Sequence, residues 1–359
     1  MNGRILAVET SCDETAVAVV EDGRRIVANV VASQVALHSA TGGIVPEVAA
    51  RAHLRWMIPV LEEARREAGI EDWSTIEAVA VTEGPGLAGS LLVGITLAKT
   101  LAWVHLLPLV PVNHLEGHIY AAWLVDPGAA KPPAPEFPLV ALVVSGGHTF
   151  LVEMTDHLRY RLLGQTIDDA AGEAFDKVGR LLGLSYPGGP AIMHAAAGAE
   201  QRNRRFPRAW LGESFDFSFS GLKTAARRAV AMELGADPEK GPPADGEALP
   251  ETAVAELAHA FQDSVVDVLA TKTLRAVEAT GARTIILGGG VAANSVLRER
   301  INDGARRIGV PLVVPRPGLC TDNAAMIGAA GFFRARTGTR GGTDLAARPS
   351  LKLALPDPA

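Results

Sequence analysis

A strand, a short polar turn and a second strand occur twice in this chain, and that repeat constrains the fold more than any other feature. Near the N-terminus the apolar runs 5–8 and 16–20 flank the turn Thr10-Ser11-Cys12-Asp13-Glu14. Farther along, the runs 139–144 and 150–153 flank Ser145-Gly146-Gly147-His148. The likeness is one of pattern and not of residue identity, and two such units predict two similar lobes facing each other. Elsewhere strand-length and helix-length segments alternate, the mark of an α/β protein with a parallel or mixed sheet. Residues 77–81 and 109–112 read as strands. Helices are expected over 46–69, where Pro59 should break or kink the turn, from the Gly84-Pro85-Gly86 turn to about His105, and onward from Asn113, a good cap.

The 359 residues, 48% apolar and 21% charged, exclude a mainly disordered chain and supply more than one small core. At roughly 150 residues per domain, about two domains are expected. The sequence divides into an N-terminal lobe (1–125 plus 320–337), a proline-rich linker loop (126–138), a C-terminal lobe (139–319) with a mobile insertion at 235–250, and a tail (338–359) outside the core. With 34 Lys+Arg against 40 Asp+Glu the net charge is −6, so no global field draws the chain to nucleic acid or an anionic membrane. Arginines do cluster at 202, 204, 205 and 208, at 227 and 228, and at 298, 300, 306 and 307; they read as a solvated basic face or, less often, an RNA patch. Cys12 and Cys320 fit neither a disulfide framework nor a CxxC site and read as reduced, buried thiols. The first apolar run is too short for a signal peptide, and the stretch 86–111 carries Lys99, His105 and Pro108, which suits a buried helix and strand better than a membrane span. A cytoplasmic protein with no membrane partner is expected.

The sharpest motif is His114-Leu115-Glu116-Gly117-His118. Helical positions i and i+4 share a face, so both imidazoles can point at one metal ion, or both can be ordinary polar positions. A zinc-protease reading fails, because the acid stands two residues after the first His, where a helix sends it to roughly the opposite side. A third ligand must come from elsewhere. Asp322, in Cys320-Thr321-Asp322-Asn323, reads first as a helix N-cap and second as that ligand; two His and a carboxylate suit iron or zinc and leave positions open. The glycine-rich turns at 145–149, 186–190 and 288–294 read as turn chemistry one by one, and together favour a nucleotide cleft. Asp169, Glu173 and Asp176 read as one helix face over 167–184, solvated unless a ligand approaches across Gly172, Ala174 and Gly179. Glu9, Asp13 and Glu14 place acids at a strand end, where α/β sheets commonly carry function.

Taken in order, ILAVETSCDETAVAVV (5–20), PEVAARAH (46–53), EGPGLAGSLLVG (83–94), NHLEGHIYA (113–121), VSGGHT (144–149), GEAFDKVGRLLGLSYPGGP (172–190), FSFSGLKTA (217–225), GGGVAANSVLR (288–298) and CTDNAAMIG (320–328) closely resemble the tRNA N6-adenosine threonylcarbamoyltransferase family, TsaD. The resemblance implies an actin/Hsp70/sugar-kinase-like (ASKHA) fold with duplicated ribonuclease H-like domains. It implies transfer of the threonylcarbamoyl group from threonylcarbamoyl-AMP to N6 of adenosine 37 in tRNAs reading codons that begin with A. By the same transfer His114, His118 and Asp322 hold one divalent metal, iron(II) or else zinc, and Val144, Ser145, Gly146, Gly147, His148, Asp176, Gly189 and Asn294 line the nucleotide and acyl site. Some relatives carry an acid just after the GGP turn; Met193 and His194 stand here, so no acidic contact is expected there. Glu9 and Asp13 are the candidates for the base that deprotonates the attacking amine. TsaB-like and TsaE-like proteins are the implied partners, beside tRNA. Two other readings are a small-molecule kinase or ATPase on the same fold, which gives the paired histidines no role, and a non-catalytic nucleotide-binding scaffold.

Overall fold

The computed structural model describes residues 3–353 apart from 40–42, 131 and 242–247. It divides into two units, the first comprising Met1–Pro135, Asp156–Arg159 and Pro315–Ala359, the second Glu136–Thr155 and Tyr160–Val314.

In the first unit β1 (Arg4–Glu9), β2 (Glu14–Glu21), β3 (Arg25–Ser33), β4 (Ala78–Gly84) and β5 (Leu109–Asn113) form one sheet in the order β3-β2-β1-β4-β5. The β1–β2 and β2–β3 pairs are antiparallel, and β1–β4 and β4–β5 are parallel. In the second unit β6 (Leu139–Val144), β7 (Thr149–Asp156), β8 (Arg159–Gln165), β9 (Thr284–Gly288) and β10 (Leu312–Val313) form a sheet in the order β10-β9-β6-β7-β8. There β6–β7 is antiparallel while β6–β9 and β9–β10 are parallel. Replacing β1 to β5 by β6 to β10 converts one strand order into the other, so the pattern repeat in the sequence is a repeat of topology.

The helices are α1 (Val35–Ser39), α2 (Pro46–Ala68), α3 (Ala88–Val104), α4 (His114–Tyr120), α5 (Ala171–Leu181), α6 (Gly188–Ala197), α7 (Ser220–Glu233), α8 (Glu251–Thr280), α9 (Ser295–Arg307), α10 (Pro317–Cys320) and α11 (Ala324–Arg336). Strand β1 reads as an unbroken apolar run because both of its faces are covered. Leu6 and Val8 join a core with Met57 and Leu61 of α2 and Leu91 and Ile95 of α3. Ile5 and Ala7 face α11, where a Cβ on Gly328 would lie 2.8 Å from Val20 and one on Gly331 would lie 2.6 Å from Ala80. Those two glycines let α11 settle onto the sheet. Strands β1, β4 and β5 run parallel, so Glu9, Gly84 and Asn113 end together at one edge of the sheet, the edge at which α/β folds carry chemistry.

Several expectations are corrected. The largely apolar stretch Arg25–Ser33, which carries no strand expectation above, is a strand. Helix α2 runs unbroken through Pro59, whose position is exposed, so water can take up the carbonyl of Arg55 that its missing N–H leaves behind. The division falls at 135/136 and 314/315, which puts 126–135 and the tail with the first unit. The tail is not outside the core: Leu345 and Ala347 pack against the first unit's apolar cluster and Leu353 is buried. Asp169 precedes α5; Lys177 pairs with it and with Glu173 at 2.7 and 2.9 Å, whereas Asp176 turns away to α6, so the three carboxylates share no single face. Part of the 235–250 insertion, residues 242–247, lies outside the described residues. In its described part Glu239 is held by Arg227 and Arg228.

Candidate active site

Helix α4 begins where β5 ends, and Asn113 starts it by accepting a hydrogen bond from the Leu115 amide at 2.9 Å. Its i, i+4 spacing puts His114 and His118 side by side, with ring centroids 4.7 Å apart. Asp322 reaches them from the other end of the unit. Its Oδ1 lies 3.5 Å from His114 Nε2 and 3.3 Å from His118 Nε2, and the three ligand atoms lie within 4.8 Å of one another. Ligands about 2.1 Å from one tetrahedral or octahedral ion sit roughly 3.0–3.4 Å apart. The cap that the sequence reading gave first to Asp322 is made by the next residue: Asn323 accepts from the Met326 amide at 3.1 Å. Helix α11 therefore starts one residue later than that reading needs, and Asp322 turns to the histidines.

The donor set fits a metal on a direct observation. His118 is buried, yet neither of its ring nitrogens has a hydrogen-bond partner among the described residues. A buried imidazole left unpaired is costly, and a metal ion removes that cost. His114 is held at its other nitrogen, where Nδ1 lies 3.0 Å from Glu9 Oε2 and 3.1 Å from Ser11 Oγ. A carboxylate only accepts, so Nδ1 carries a proton and Nε2, which faces Asp322, is the nitrogen left for a metal. Burial pushes His114 down, but the carboxylates of Asp322 and Glu9 outweigh it and raise the imidazole to about 9.

Glu9 is fully buried and also accepts from the Ser11 amide and from Thr82 Oγ1, the latter at 2.7 Å. Burial raises its carboxyl, yet His114 prevails and leaves it below the usual carboxylate value. Glu14 accepts from Ser33 Oγ at 3.1 Å, and burial together with the neighbouring carboxylates of Asp322 and Asp13 pushes it up to about 10. Beneath this turn the buried His53 spans Thr15 Oγ1 at 2.8 Å and the Cys12 carbonyl at 3.0 Å. The sequence reading missed His53, whose only signal was a histidine on the apolar face of a helix. Glu116 points away from the other two, into a buried pair with Arg334 at 2.6 and 2.9 Å.

The second unit holds the glycine turns. Ser145 to His148 closes on itself through Ser145 N to His148 O at 2.8 Å and His148 N to Ser145 Oγ at 3.2 Å. Val144 is buried at the end of β6, next to Gly289, whose Cβ would sit 2.4 Å from the Val144 carbonyl oxygen. Gly172 and Gly188 are likewise required by packing, with Cβ atoms 2.4 Å from the carbonyls of Ser145 and Phe175. A Cβ on Gly146, Gly147 or Gly189 would meet nothing described within 4 Å, and none of the three has a positive φ. The fold does not demand glycine there, and close approach of a ligand to backbone would. Asp176 accepts from the Gly188 amide at 2.7 Å, and burial raises its carboxyl. Asn294 caps α9 through the Leu297 amide at 3.1 Å and donates to Gln262 at 2.8 Å. The predicted residues thus fall into two groups, Glu9, Asp13, His114, His118 and Asp322 in the first unit and the rest in the second.

Part of the arginine patch is absorbed: Arg204 pairs with Glu233 and Glu256, and Arg208 and Arg300 pair with Asp263 and Asp267. No described helix is long and apolar enough to cross a membrane.

A family model described as tRNA N6-adenosine threonylcarbamoyltransferase matches residues 25–329. A protein of that name from Thermomicrobium roseum is 55% identical, covering 97% of this chain and 96% of its own. Another, from Bacillus subtilis (strain 168), is 48% identical over 97% of this chain and 95% of its own. Among solved structures, HypF of T. kodakarensis is similar at a TM-score of 0.57 and 14% identity, over 94% of this chain and 48% of that one. That likeness concerns fold alone, the actin/Hsp70/sugar-kinase type to which the duplicated sheets conform.

Proposed function

The chain belongs to the tRNA N6-adenosine threonylcarbamoyltransferase family, and on that premise we propose how its residues carry the reaction. It is an acyltransferase that modifies tRNA, forming the threonylcarbamoyl derivative of adenosine at N6. A kinase or ATPase of the same fold is not favoured, because it leaves the paired histidines of α4 without a task. We assign threonylcarbamoyl-AMP as donor and adenosine 37 of tRNAs reading codons that begin with A as acceptor. The adenine N6 attacks the carbamoyl carbonyl carbon, the new N–C bond forms, the bond from that carbon to the phosphate oxygen breaks, and AMP leaves with the electron pair. Because the donor is already a mixed anhydride, no protein nucleophile is needed.

In this reading His114, His118 and Asp322 hold one divalent metal, iron(II) or else zinc, which supplies Lewis-acid polarisation of donor oxygens. The observation that carries it is the buried imidazole of His118, which makes no hydrogen bond at either nitrogen and faces the Asp322 carboxylate at 3.3 Å. Both oxygens of Glu9 are already engaged, by Ser11, Thr82 and His114, so we assign it the orientation of His114 rather than proton abstraction. Asp13, beside Glu14, is the remaining candidate to take the N6 proton. Amides of the 145–148 turn bind the adenylate phosphate, while Val144, Asp176, Gly189 and Asn294 complete the nucleotide and acyl site. With a net charge of −6 and with Arg204, Arg208 and Arg300 paired internally, the chain has little field of its own for tRNA. TsaB-like and TsaE-like proteins are assigned as partners. Leu54 and Ile58, one turn apart on α2, and Leu92 and Trp103 on α3 leave apolar surface for one of them. The setting is assigned as cytoplasmic.

The test is mass spectrometry of tRNA nucleosides after incubation with the donor adenylate and the partner proteins. His118→Ala should abolish the modified nucleoside while leaving the far-ultraviolet circular dichroism intact, and a chelator should do the same to the parent chain. Full activity in His118→Ala overturns the metal assignment; product with neither metal nor partners overturns both.

A further inference from the structure

The C-terminal tail follows an unusual course for a segment so rich in glycine and proline. It enters beside β5, where the Gly341 amide donates to the Leu109 carbonyl at 2.8 Å. Leu345 and Ala347 then pack on the apolar cluster beneath α2 and α3. From Arg348 onward the tail crosses the ends of β4 and β5, the edge that carries the metal-binding residues. The Arg348 amide donates to the Glu83 carbonyl at 2.8 Å, the Gly86 amide donates to the Pro349 carbonyl at 3.1 Å, and Asn113 Nδ2 donates to the Lys352 carbonyl at 2.8 Å.

Two of these bonds lead to His114 from opposite sides. Asn113 precedes it, is almost fully buried, and divides its amide between two tasks: Oδ1 caps α4 at Leu115 and Nδ2 is anchored by the tail. The Gly86 loop packs on Ser11, since a Cβ on Gly86 would lie 2.5 Å from the Ser11 carbonyl oxygen, and the Leu87 amide donates to that carbonyl at 2.7 Å. Ser11 in turn touches His114 Nδ1 and the Glu9 carboxylate. At Gly84, with φ of +154°, a Cβ would fall 2.0 Å from the Arg348 carbonyl oxygen, so β4 is shaped to receive the tail.

We propose that residues 348–353 are a positioning strap for the metal-ligand helix: they fix the entry of α4 through Asn113 and the loop behind His114 through Gly86. The strap contributes no ligand. It sets the direction in which His114 presents its nitrogen, and groups that orient metal-bound imidazoles change affinity by about 10–100-fold. The inference rests on the metal assignment above, so the experiment separates the two.

Cobalt(II) serves as the probe, with affinity read by competition against a chromophoric chelator and ligand geometry read from its visible absorption. Three proteins are compared: the full chain, a chain ending at Ala347, and Asn113→Ser. The serine hydroxyl still caps α4 but has no amide to offer Lys352. The truncated chain should lose at least tenfold in cobalt affinity with a shifted visible band. Asn113→Ser should lose severalfold, with the full chain's circular dichroism retained. If the truncated chain fails to fold, Asn113→Ser decides alone. Affinity within twofold of the parent and an unchanged band in Asn113→Ser overturns the strap. Failure of the full chain itself to take up cobalt overturns the metal assignment, and the strap with it.

Discussion

Replacing Glu9 by Gln tests the part of the site that positions a group without touching substrate. Three donors converge on this buried carboxylate: the Ser11 amide at one oxygen, and Thr82 Oγ1 and His114 Nδ1 at the other. A glutamine of the same shape has one acceptor and one donor end. If its oxygen faces Thr82 and His114, its NH2 points at the Ser11 N–H and two donors oppose each other in a buried space. If its oxygen faces Ser11, its NH2 points at Thr82 and His114. Thr82 can turn its hydroxyl to accept, but His114 can do so only by moving its proton to Nε2, the nitrogen that faces Asp322. Either arrangement disfavours the metal-bound form. The loss expected for an outer partner of a metal-bound histidine is about 10–100-fold, or about 1.4–2.8 kcal/mol. Zinc or cobalt competition titrations on Glu9→Gln and the parent read it directly. Affinity within twofold of the parent would refute the reasoning.

Two further outcomes follow from buried groups outside the metal set. Arg334→Met strands the buried Glu116 carboxylate and should cost about 3–5 kcal/mol in urea unfolding of the metal-free chain, whereas Glu116→Leu/Arg334→Met together should recover most of that; a single-variant loss below about 1 kcal/mol sinks the idea. Burial holds His53 below the usual imidazole range, so the unfolded chain binds more protons in mild acid. The stability it contributes is complete above about pH 6.5 and is lost as pH falls from there through the folded value. His53→Gln should flatten the fall in melting temperature between pH 7 and pH 5, and a slope equal to the parent's would speak against it.

The metal group was half legible in the sequence. Period 3.6 puts His114 and His118 together whatever their surroundings. The third ligand was not decidable, because Asp322 and Asn323 are both good caps and only the phase of α11, set by Gly328 and Gly331 docking on β1 and its neighbours, says which one caps. Strand β3 carries an apolar run broken by Asn29 and no polar–apolar alternation, and as an edge strand it buries only Ile26 and Ala28, so nothing in its pattern marked which face meets the core. The tail was misread for a different reason. Its backbone groups, rather than its side chains, make the contacts with Glu83, Gly86 and Asn113, and backbone bonding leaves little mark on composition. Glycines were the reverse case: they were visible, but only the fold separates Gly172, Gly188 and Gly289, which packing requires, from Gly146, Gly147 and Gly189, which it does not.

The duplicated topology makes the two units informative about each other. The turn between β1 and β2 corresponds to the turn between β6 and β7, since both follow the central strand of their sheet. In the first unit that turn carries Asp13 next to Glu14 at the start of β2, with Glu9 closing β1; in the second it is Ser145-Gly146-Gly147-His148, with backbone amides and no carboxylate. The segment after β4 corresponds to the segment after β9, and there too one copy is built to receive the protein's own tail and the other opens onto Gly289 and Gly290. Among the described residues only one group of three His, Cys, Asp or Glu side chains can hold a metal, and it lies in the first unit. Carboxylates and imidazoles attract cations, whereas bare amides attract phosphate oxygens. One topological position therefore carries opposite polarity in its two copies, carboxylates in the first unit and bare backbone amides in the second.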